Sequence, residues 1–196
     1  LSHPIQVPAF IENNHQVYYY LRIVSFLGDI NYDKALPSLH ISKEESEQAD
    51  QYLESMGIAP SDFLVGINPG AEYGPAKRWA PESFAKVADM LTAEYRAKIL
   101  VFGSSKEMDV AAQVKKHMHL VGHDIAGKTS LRMAMALIRK LRLFVTNDTG
   151  LMHVAAALKV PVTAIFGSTN PVTTGPFGTL HAIVRPPDIP ECSPCL

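Results

Sequence analysis

The sequence predicts an α/β fold: a mostly parallel sheet with helices on both of its faces. Two observations predict it. From residue 42 onward, short apolar and β-branched runs alternate with longer segments of helical periodicity. The loops that follow these runs are rich in glycine, serine, threonine, asparagine and proline, as expected where parallel strands end and ligands bind.

The composition is compatible with this fold and excludes some kinds of partner. The 196 residues suffice to bury a real core, in one large domain or in one domain plus a piece of another. A net charge of −1 argues against nucleic acid as the main partner. No apolar run approaches the roughly 18 residues that span a bilayer, and no secretory leader opens the chain. We therefore expect a cytoplasmic location.

The first 40 residues are the least regular part. We expect loop segments, one helix near residues 15–27 whose three consecutive tyrosines serve packing, and a linker from residue 29. Ser42 and Glu45 then form a capping box, which predicts a helix that runs to about residue 56 and stops at Gly57.

Strands and helices alternate after that helix. The predicted strands cover residues 63–67, 98–102, 143–146, 160–166 and 182–184. The predicted helices cover residues 81–95, 106–118 and 130–140, and an alanine-rich helix follows residue 150 and ends near residue 158. This order implies β-α units and a sheet covered on both faces.

Four loops should therefore gather at one edge of the sheet, beyond the carboxyl ends of the strands. Their small residues let backbone approach a ligand closely, as a nucleotide site requires. Any one of them alone could be an ordinary surface loop, but four loops of the same composition at one edge favour a binding site. The loops are residues 68–79, 103–107, 147–150 and 167–171.

The loop Asn147-Asp-Thr-Gly150 joins a buried strand directly to a helix. Asp148 or Thr149 is a natural N-cap, and the free N–H groups of a helix start, with the positive end of its dipole, suit a phosphate. His153 lies four residues after Thr149, on the same helical face, and can reach the same anion. The alternative is an ordinary β-to-α turn with a satisfied histidine.

The longest loop carries Lys77 and Arg78, followed by Trp79 and Pro81, which should fix the loop at a helix start. A lysine held there could neutralise a phosphate at the Thr149 helix. The alternative is that both cations are merely solvated.

Two other motifs indicate competing functions. One resembles the phosphate loop of nucleoside triphosphatases and comprises Gly122-His-Asp-Ile-Ala-Gly-Lys-Thr129, with Asp148 as a magnesium ligand. Against it, residues 117–121 are a poor buried strand and too few strands follow.

The other motif is the C-x-x-C pair of Cys192 and Cys195. No second pair is present to complete a zinc site, and the surrounding loop-forming residues disfavour redox chemistry. The dinucleotide fingerprint is absent.

Five motifs, in this order and spacing, resemble those of the bacterial lipopolysaccharide heptosyltransferases, glycosyltransferase family 9. The resemblance is close over residues 60–196 and looser for the helix of residues 18–27. It is strongest to the carboxyl-terminal half of members that add the second heptose. The motifs are residues 66–79, Ala126-Gly-Lys-Thr-Ser-Leu131, residues 147–158, Phe166-Gly-Ser-Thr169 and Glu191-Cys-Ser-Pro-Cys195.

The resemblance implies a GT-B architecture of two Rossmann-like domains, with this chain as the donor-binding half. Residues 1–41 would be a remnant of the amino-terminal domain and a linker, and residues 42–196 the carboxyl-terminal nucleotide-sugar-binding domain. The implied donor-site residues are Lys77 at the diphosphate, Glu107 at the ribose, Thr129 at the adenine, Asp148 at the sugar hydroxyls, and Thr149, Gly150 and His153 at the diphosphate.

The implied reaction transfers L-glycero-D-manno-heptose from ADP-heptose to the lipopolysaccharide inner core with inversion. Lys77 and the helix dipole at Thr149 would stabilise the leaving ADP, so neither a metal nor another cofactor is required. The general base would lie in the missing amino-terminal domain, and the full-length enzyme would work at the cytoplasmic face of the inner membrane. We therefore expect the chain alone to bind donor weakly and to transfer no sugar. The rival functions are a phosphate-loop NTPase and a non-catalytic nucleotide-binding module.

Overall fold

The computed structural model describes residues 4, 14–28, 36–72, 75–188 and 193. Six strands and seven α-helices lie within these ranges. The strands are β1 (Leu64–Asn68), β2 (Lys98–Val101), β3 (Gly122–Asp124), β4 (Leu143–Asn147), β5 (Val162–Ile165) and β6 (His181–Val184). The helices are α1 (Gln16–Val24), α2 (Lys43–Ser55), α3 (Pro81–Tyr95), α4 (Met108–His117), α5 (Leu131–Arg139), α6 (Gly150–Ala157) and α7 (Pro171–Thr174).

The six strands form one sheet in the order β3-β2-β1-β4-β5-β6, and every neighbouring pair is parallel. This is the Rossmann strand order, in which the chain reverses its direction of winding between β1 and β4. A crevice opens at such a switch point beyond the carboxyl ends of the two strands. The predicted α/β, Rossmann-like parallel sheet is thus confirmed, and its order singles out the loops after β1 and β4.

The strands are buried because helices cover both faces of the sheet. Alternate residues of a strand face opposite sides, so that on β2 Ile99 packs with α3 and α4 while Leu100 packs with the cluster of α2, α5 and α6. All five residues of β1 are buried. A central strand buried on both faces holds the loop that follows it on a rigid support.

Local sequence signals place the helix ends. The hydroxyl of Ser42 accepts a hydrogen bond from the Glu45 amide, and the Glu45 carboxylate accepts one from the Ser42 amide, so the predicted capping box is confirmed. Gly57 follows α2 with a φ of 73°, a conformation that glycine adopts without strain. The predicted helix of residues 81–95 is α3 with the same bounds.

The structure differs from the predicted elements in three main places, one of which is α7 (Pro171–Thr174), a short helix that was not predicted. Residues 122–124 form β3, which was not predicted, and the predicted helix of residues 106–118 divides into a 3₁₀ turn, Ser105–Glu107, and α4. The presence of β3 at residues 122–124 contradicts the phosphate-loop interpretation. A phosphate loop must follow a strand, whereas here its first three residues are the strand, and the Lys128 ammonium donates to the Asp124 carbonyl at 2.7 Å.

Helix α1 lies against the loop that contains α7. His15 precedes α1, and its Nε2 donates to the Gly175 carbonyl at 2.8 Å while its ring stacks on Phe177 at 4.8 Å. Tyr18 contacts the same phenyl ring edge-on at 5.8 Å. In the described part of the chain, no helix is both long enough and apolar enough to cross a membrane.

Candidate functional site

The strand-end loops meet at one edge of the sheet, as predicted. The β5 loop lies close to the long loop after β1. A Cβ added to Gly167 would be only 3.0 Å from the Ala76 carbonyl oxygen. The polar side chains that are buried in the described residues all lie at this edge: Asn68, Thr146, Asn147 and Thr169. Since buried polar groups are costly unless they are paired, their concentration here marks a built site.

A lysine and two polar groups from three different loops meet at the centre of this edge. The Lys77 ammonium lies 3.1 Å from Asp148 Oδ2, and the same oxygen accepts a hydrogen bond of 2.7 Å from the Thr169 hydroxyl. The side chains of Lys77 and Asp148 are only 13% and 10% exposed. Three loops that are distant in sequence thus bring a cation and a carboxylate together in a shielded place.

Asn147 at the end of β4 fixes the long loop that carries this lysine. Its Oδ1 accepts from the Trp79 amide at 3.0 Å, and its Nδ2 donates to the carbonyls of Pro69 at 2.8 Å and Gly70 at 3.3 Å. One buried carboxamide therefore holds both ends of the loop. The neighbouring Arg78 donates to a carbonyl of its own loop, that of Ala71.

Helix α6 begins at the switch point with its amino end free of a side-chain cap. Thr149 occupies the N-cap position, but its hydroxyl accepts no bond from the first turn of α6 and receives one from Asn68 Nδ2 at 2.9 Å. A Cβ on Gly150 would meet no atom within 4 Å. The first turn of α6 therefore presents backbone N–H groups and the positive end of its dipole close to the Lys77 ammonium, and these two positive features favour an anion.

His153 lies one turn further along α6 and borders a cavity of about 340 Å³. Crowding by surrounding protein lowers the pKa of this imidazole; the nearby Asp148 carboxylate opposes that change, and His15 adds to it. His153 is therefore uncharged at neutral pH and lies within electrostatic range of Asp148. Residues of α1 and of the α7 loop line the cavity as well, among them His15, Tyr20 and Phe177.

Glu107 and Thr129 lie on the loops of the two neighbouring strands. Glu107 accepts hydrogen bonds from the Ser104 amide at 2.8 Å and the Ser104 hydroxyl at 2.7 Å. A Cβ at Gly70 would overlap the Glu107 carboxylate, so this carboxylate lies against the β1 loop. The loop that carries Thr129 is joined to the β2 loop by a hydrogen bond of 2.9 Å from the Gly127 amide to the Gly103 carbonyl.

All seven residues predicted for the donor site thus lie on loops or helix starts at the same edge of the sheet: Lys77, Glu107, Thr129, Asp148, Thr149, Gly150 and His153. Direct contact is present between Lys77 and Asp148. Their roles toward a ligand remain predictions. Cys192 and Cys195 lie outside the described residues.

Sequence reasoning missed three residues that build the site, namely Asn68, Asn147 and Thr169. The available signal was the same for the two asparagines, because each ends a buried apolar strand, where an amide is unusual unless it has partners. Thr169 lies in the β5 loop, and its hydrogen bond to Asp148 could not be predicted from the sequence, because it depends on how the two loops are arranged in the fold.

The sequence matches a family model described as glycosyltransferase family 9 (heptosyltransferase) over residues 2–196. Lipooligosaccharide heptosyltransferase 2 of Haemophilus ducreyi is 37% identical over 158 residues, which make up 77% of this chain and 45% of that protein. Lipopolysaccharide heptosyltransferase 2 of Escherichia coli K12 is 32% identical over 183 residues, 91% of this chain and 51% of that protein. The chain thus spans about half the length of these relatives.

Solved structures give the same result. A glycosyltransferase family 9 structure from Veillonella parvula superposes with a TM-score of 0.83 at 27% identity, covering 94% of this chain and 51% of that one. The structure of E. coli ADP-heptose lipopolysaccharide heptosyltransferase II superposes with a TM-score of 0.71 at 28% identity, covering 85% of this chain and 52% of that one.

Proposed function

The chain belongs to glycosyltransferase family 9, and from this we propose that it forms the donor-binding part of a GT-B enzyme that transfers L-glycero-D-manno-heptose from ADP-heptose to the lipopolysaccharide inner core. The relatives named above are heptosyltransferases that act on lipooligosaccharide or lipopolysaccharide. One observation carries the proposal for the donor site: Lys77, paired with Asp148, lies beside the uncapped start of α6 at the switch point of the sheet.

The order of the strands supports the proposal, because it matches the order of groups in the donor. From β3 to β5 the edge carries Thr129, Glu107, Lys77, the Asp148-Thr149 pair and Thr169. The proposed ligands follow the same order: adenine, ribose, diphosphate and sugar. The spacing from β3 to β4 is three strand separations, roughly 14 Å, a length that an extended nucleoside diphosphate sugar can span.

The proposed diphosphate site uses two positive features, the Lys77 ammonium on the β1 loop and the start of α6 after β4. Lys77 would leave Asp148 in part and approach the phosphates, while the N–H groups of α6 and the Thr149 hydroxyl would bind phosphate oxygens. Charge that develops on the departing ADP would be stabilised there, in a shielded setting where such interactions are strong. No step of this proposal passes through a metal ion.

Asp148 would hold hydroxyl groups of the heptose, with Thr169 fixing the orientation of its carboxylate. The acceptor hydroxyl must lose a proton as it attacks the anomeric carbon. We assign that general base, and most contacts with the lipopolysaccharide acceptor, to the other half of the enzyme. Residues 42–196 would be the donor domain, and the reaction would take place in the cytoplasm, at the inner membrane.

Calorimetric titration with ADP, ADP-heptose and GTP tests the donor site. We expect ADP and ADP-heptose to bind more tightly than GTP. Lys77→Ala should weaken both adenine ligands by about tenfold or more, since it removes a charge-assisted contact to the diphosphate. Asp148→Ala should weaken ADP-heptose more than ADP, because it removes the sugar contact and releases Lys77. Lys128→Ala is the matched control and should leave both affinities unchanged.

The two rival functions give different results in the same experiment. A phosphate-loop NTPase would hydrolyse ATP with magnesium and lose that activity in Lys128→Ala. A non-catalytic nucleotide-binding module would bind ADP and ADP-heptose equally, and Asp148→Ala would not separate them. In a transfer assay the 196-residue chain should bind donor and transfer no heptose; heptose transfer by this chain alone would contradict our assignment of the base to the other half.

A further inference from the structure

Asn68, the last residue of β1, is buried at the switch point and is 2% exposed. Its Nδ2 donates one hydrogen bond to the Thr149 hydroxyl at 2.9 Å and a longer one to the Thr146 hydroxyl at 3.3 Å. Because Thr146 lies in β4 and Thr149 in the turn directly after it, Asn68 connects the two central strands at the point where the crevice opens.

The neighbouring hydrogen bonds fix the orientation of the Asn68 carboxamide. Thr146 donates its hydroxyl proton to the Asn147 carbonyl at 2.8 Å, so its oxygen can only accept from Asn68. This requires the NH₂ group of Asn68, and not its oxygen, to face the two threonines. Both hydrogens of that group are then in use, one on each hydroxyl.

The hydroxyl of Thr149 is consequently an acceptor toward Asn68, and its proton must point elsewhere. Among the described residues, Thr146 Oγ1 is within reach, but at 3.4 Å it is much farther away than the usual O–H···O distance of about 2.7–2.8 Å. The proton therefore stays available on the side where α6 begins, which is where the diphosphate is proposed to lie.

Asn68 Oδ1 is buried and accepts no hydrogen bond from the described residues. A leucine has nearly the same shape and carries no polar atom, so it would avoid the cost of burying this oxygen. Packing alone thus does not account for an amide at this position, whereas a role for its NH₂ group does.

We propose that Asn68 is a positioning residue for the donor diphosphate: its amide fixes the Thr149 hydroxyl so that the hydroxyl proton points at a phosphate oxygen. The inference rests on the proposed function, since it assumes that Thr149 contacts the diphosphate. Because Asn68 is almost fully buried and bonded to the Thr149 hydroxyl, we assign it an indirect role, through Thr149.

The first test compares stability with affinity in Asn68→Leu. We expect an unchanged or higher melting temperature and about tenfold weaker ADP binding. Adenosine lacks the diphosphate, and its affinity should stay within twofold of the wild type. Thr92→Val is the matched control, because it also replaces one part-buried threonine hydroxyl, which bonds the Ala97 carbonyl at 3.2 Å ahead of β2, and it should leave ADP affinity within twofold. Asn68→Ala serves in the same comparison if the leucine variant does not fold.

A double-mutant cycle with Thr149 decides the mechanism. The loss caused by Asn68→Leu should persist in a Thr149→Ser background, which keeps the hydroxyl, and disappear in a Thr149→Val background. An equal loss in the valine background, or a parallel loss of adenosine affinity, would show that Asn68 acts only through the fold and would overturn the inference. If Thr149→Val itself leaves ADP affinity unchanged, the proposed phosphate contact of Thr149 fails, and the inference fails with it.

Discussion

At the scale of single residues, His153 couples the candidate site to pH. Surrounding protein lowers the pKa of its imidazole, the Asp148 carboxylate opposes that change and His15 adds to it. An unfolded histidine titrates near 6.5, so the unfolded chain takes up a proton at a higher pH than the folded one does. His153 therefore contributes stability that is present above about pH 6.5 and is lost as the pH falls toward the lower folded pKa.

We predict that donor affinity has the opposite dependence on pH. A bound diphosphate beside His153 favours the imidazolium, which raises the pKa of this residue and couples binding to proton uptake. The affinity for ADP-heptose should thus increase between pH 8 and pH 6. ADP-heptose is the preferred probe, because the terminal phosphate of ADP titrates near pH 6 itself.

Calorimetry in buffers of different ionisation enthalpy measures this proton uptake directly. His153→Gln keeps a polar side chain and removes the titration, so its affinity should be nearly constant over the same range. Equal pH dependence in wild type and in His153→Gln would show that His153 does not face the diphosphate.

Among single residues, the sequence was informative for those that follow a strand, because the loops after parallel strands all lie at the carboxyl edge of the sheet. Lys77 and Asp148 each follow a buried strand, and the rule for parallel sheets was enough to bring their loops together. Asn68 and Asn147 were missed because their importance lies in hydrogen bonds across about 80 residues of chain. For Arg78 the sequence left its surroundings open, and the folded loop shows its guanidinium bound to the Ala71 carbonyl, seven residues away in the chain.

At the scale of elements, the start of α6 offers a way to separate stability from binding. Gly150 is the first residue of this helix, and a Cβ there would meet no protein atom within 4 Å. Gly150→Ala should stabilise the fold by about 0.5–1 kcal/mol, because alanine loses less backbone entropy in a helix. It should also weaken ADP binding by about tenfold if the diphosphate lies against this backbone, because the methyl group occupies the approach.

Thermal unfolding and ADP titration of the same sample check both halves of this prediction. Gly66→Ala is an instructive comparison, since its Cβ would lie 2.5 Å from Leu141 and 2.6 Å from Phe144 in the core. That change should lower stability by about 1–3 kcal/mol through overpacking. An unaltered ADP affinity in Gly150→Ala would place the diphosphate away from the start of α6.

Most elements were predictable because local and global signals agree in them. Helix α3 begins with a proline in its first turn, and α5 begins after Ser130, whose hydroxyl accepts from the Met133 amide. Strand β3 was not predicted because its three residues, Gly122–Asp124, contain no apolar side chain. Pairing with β2 forms this strand, and pairing is not a local property of the sequence.

At the scale of the whole molecule, burial is distributed unevenly. The central strands are covered on both faces, whereas no residue of α1 is buried and its Tyr20 is 60% exposed. In the 3₁₀ turn that follows α1 (Ser25–Leu27), Phe26 and Leu27 are 58% and 88% exposed. Among the described residues, helix α1 is attached through the bond from His15 to Gly175, through the stacking of His15 on Phe177 and through the edge-on contact of Tyr18 with the same ring. A helix without a buried residue opens at a much lower free-energy cost than the buried sheet does.

Hydrogen exchange followed by mass spectrometry should therefore separate the chain into two classes. We predict that the amides of α1 exchange by local opening, orders of magnitude faster than those of β1 and β4, which should exchange only on global unfolding. Phe177→Ala should accelerate exchange in α1 further and leave the two strands unchanged, because it removes the ring on which His15 and Tyr18 pack. Val172→Ala, an exposed position on α7, is the control and should change neither class. Equal protection of α1 and β1 would mean that α1 is an integral part of the cooperative unit, and that the wall it forms around the cavity beside His153 is as rigid as the sheet.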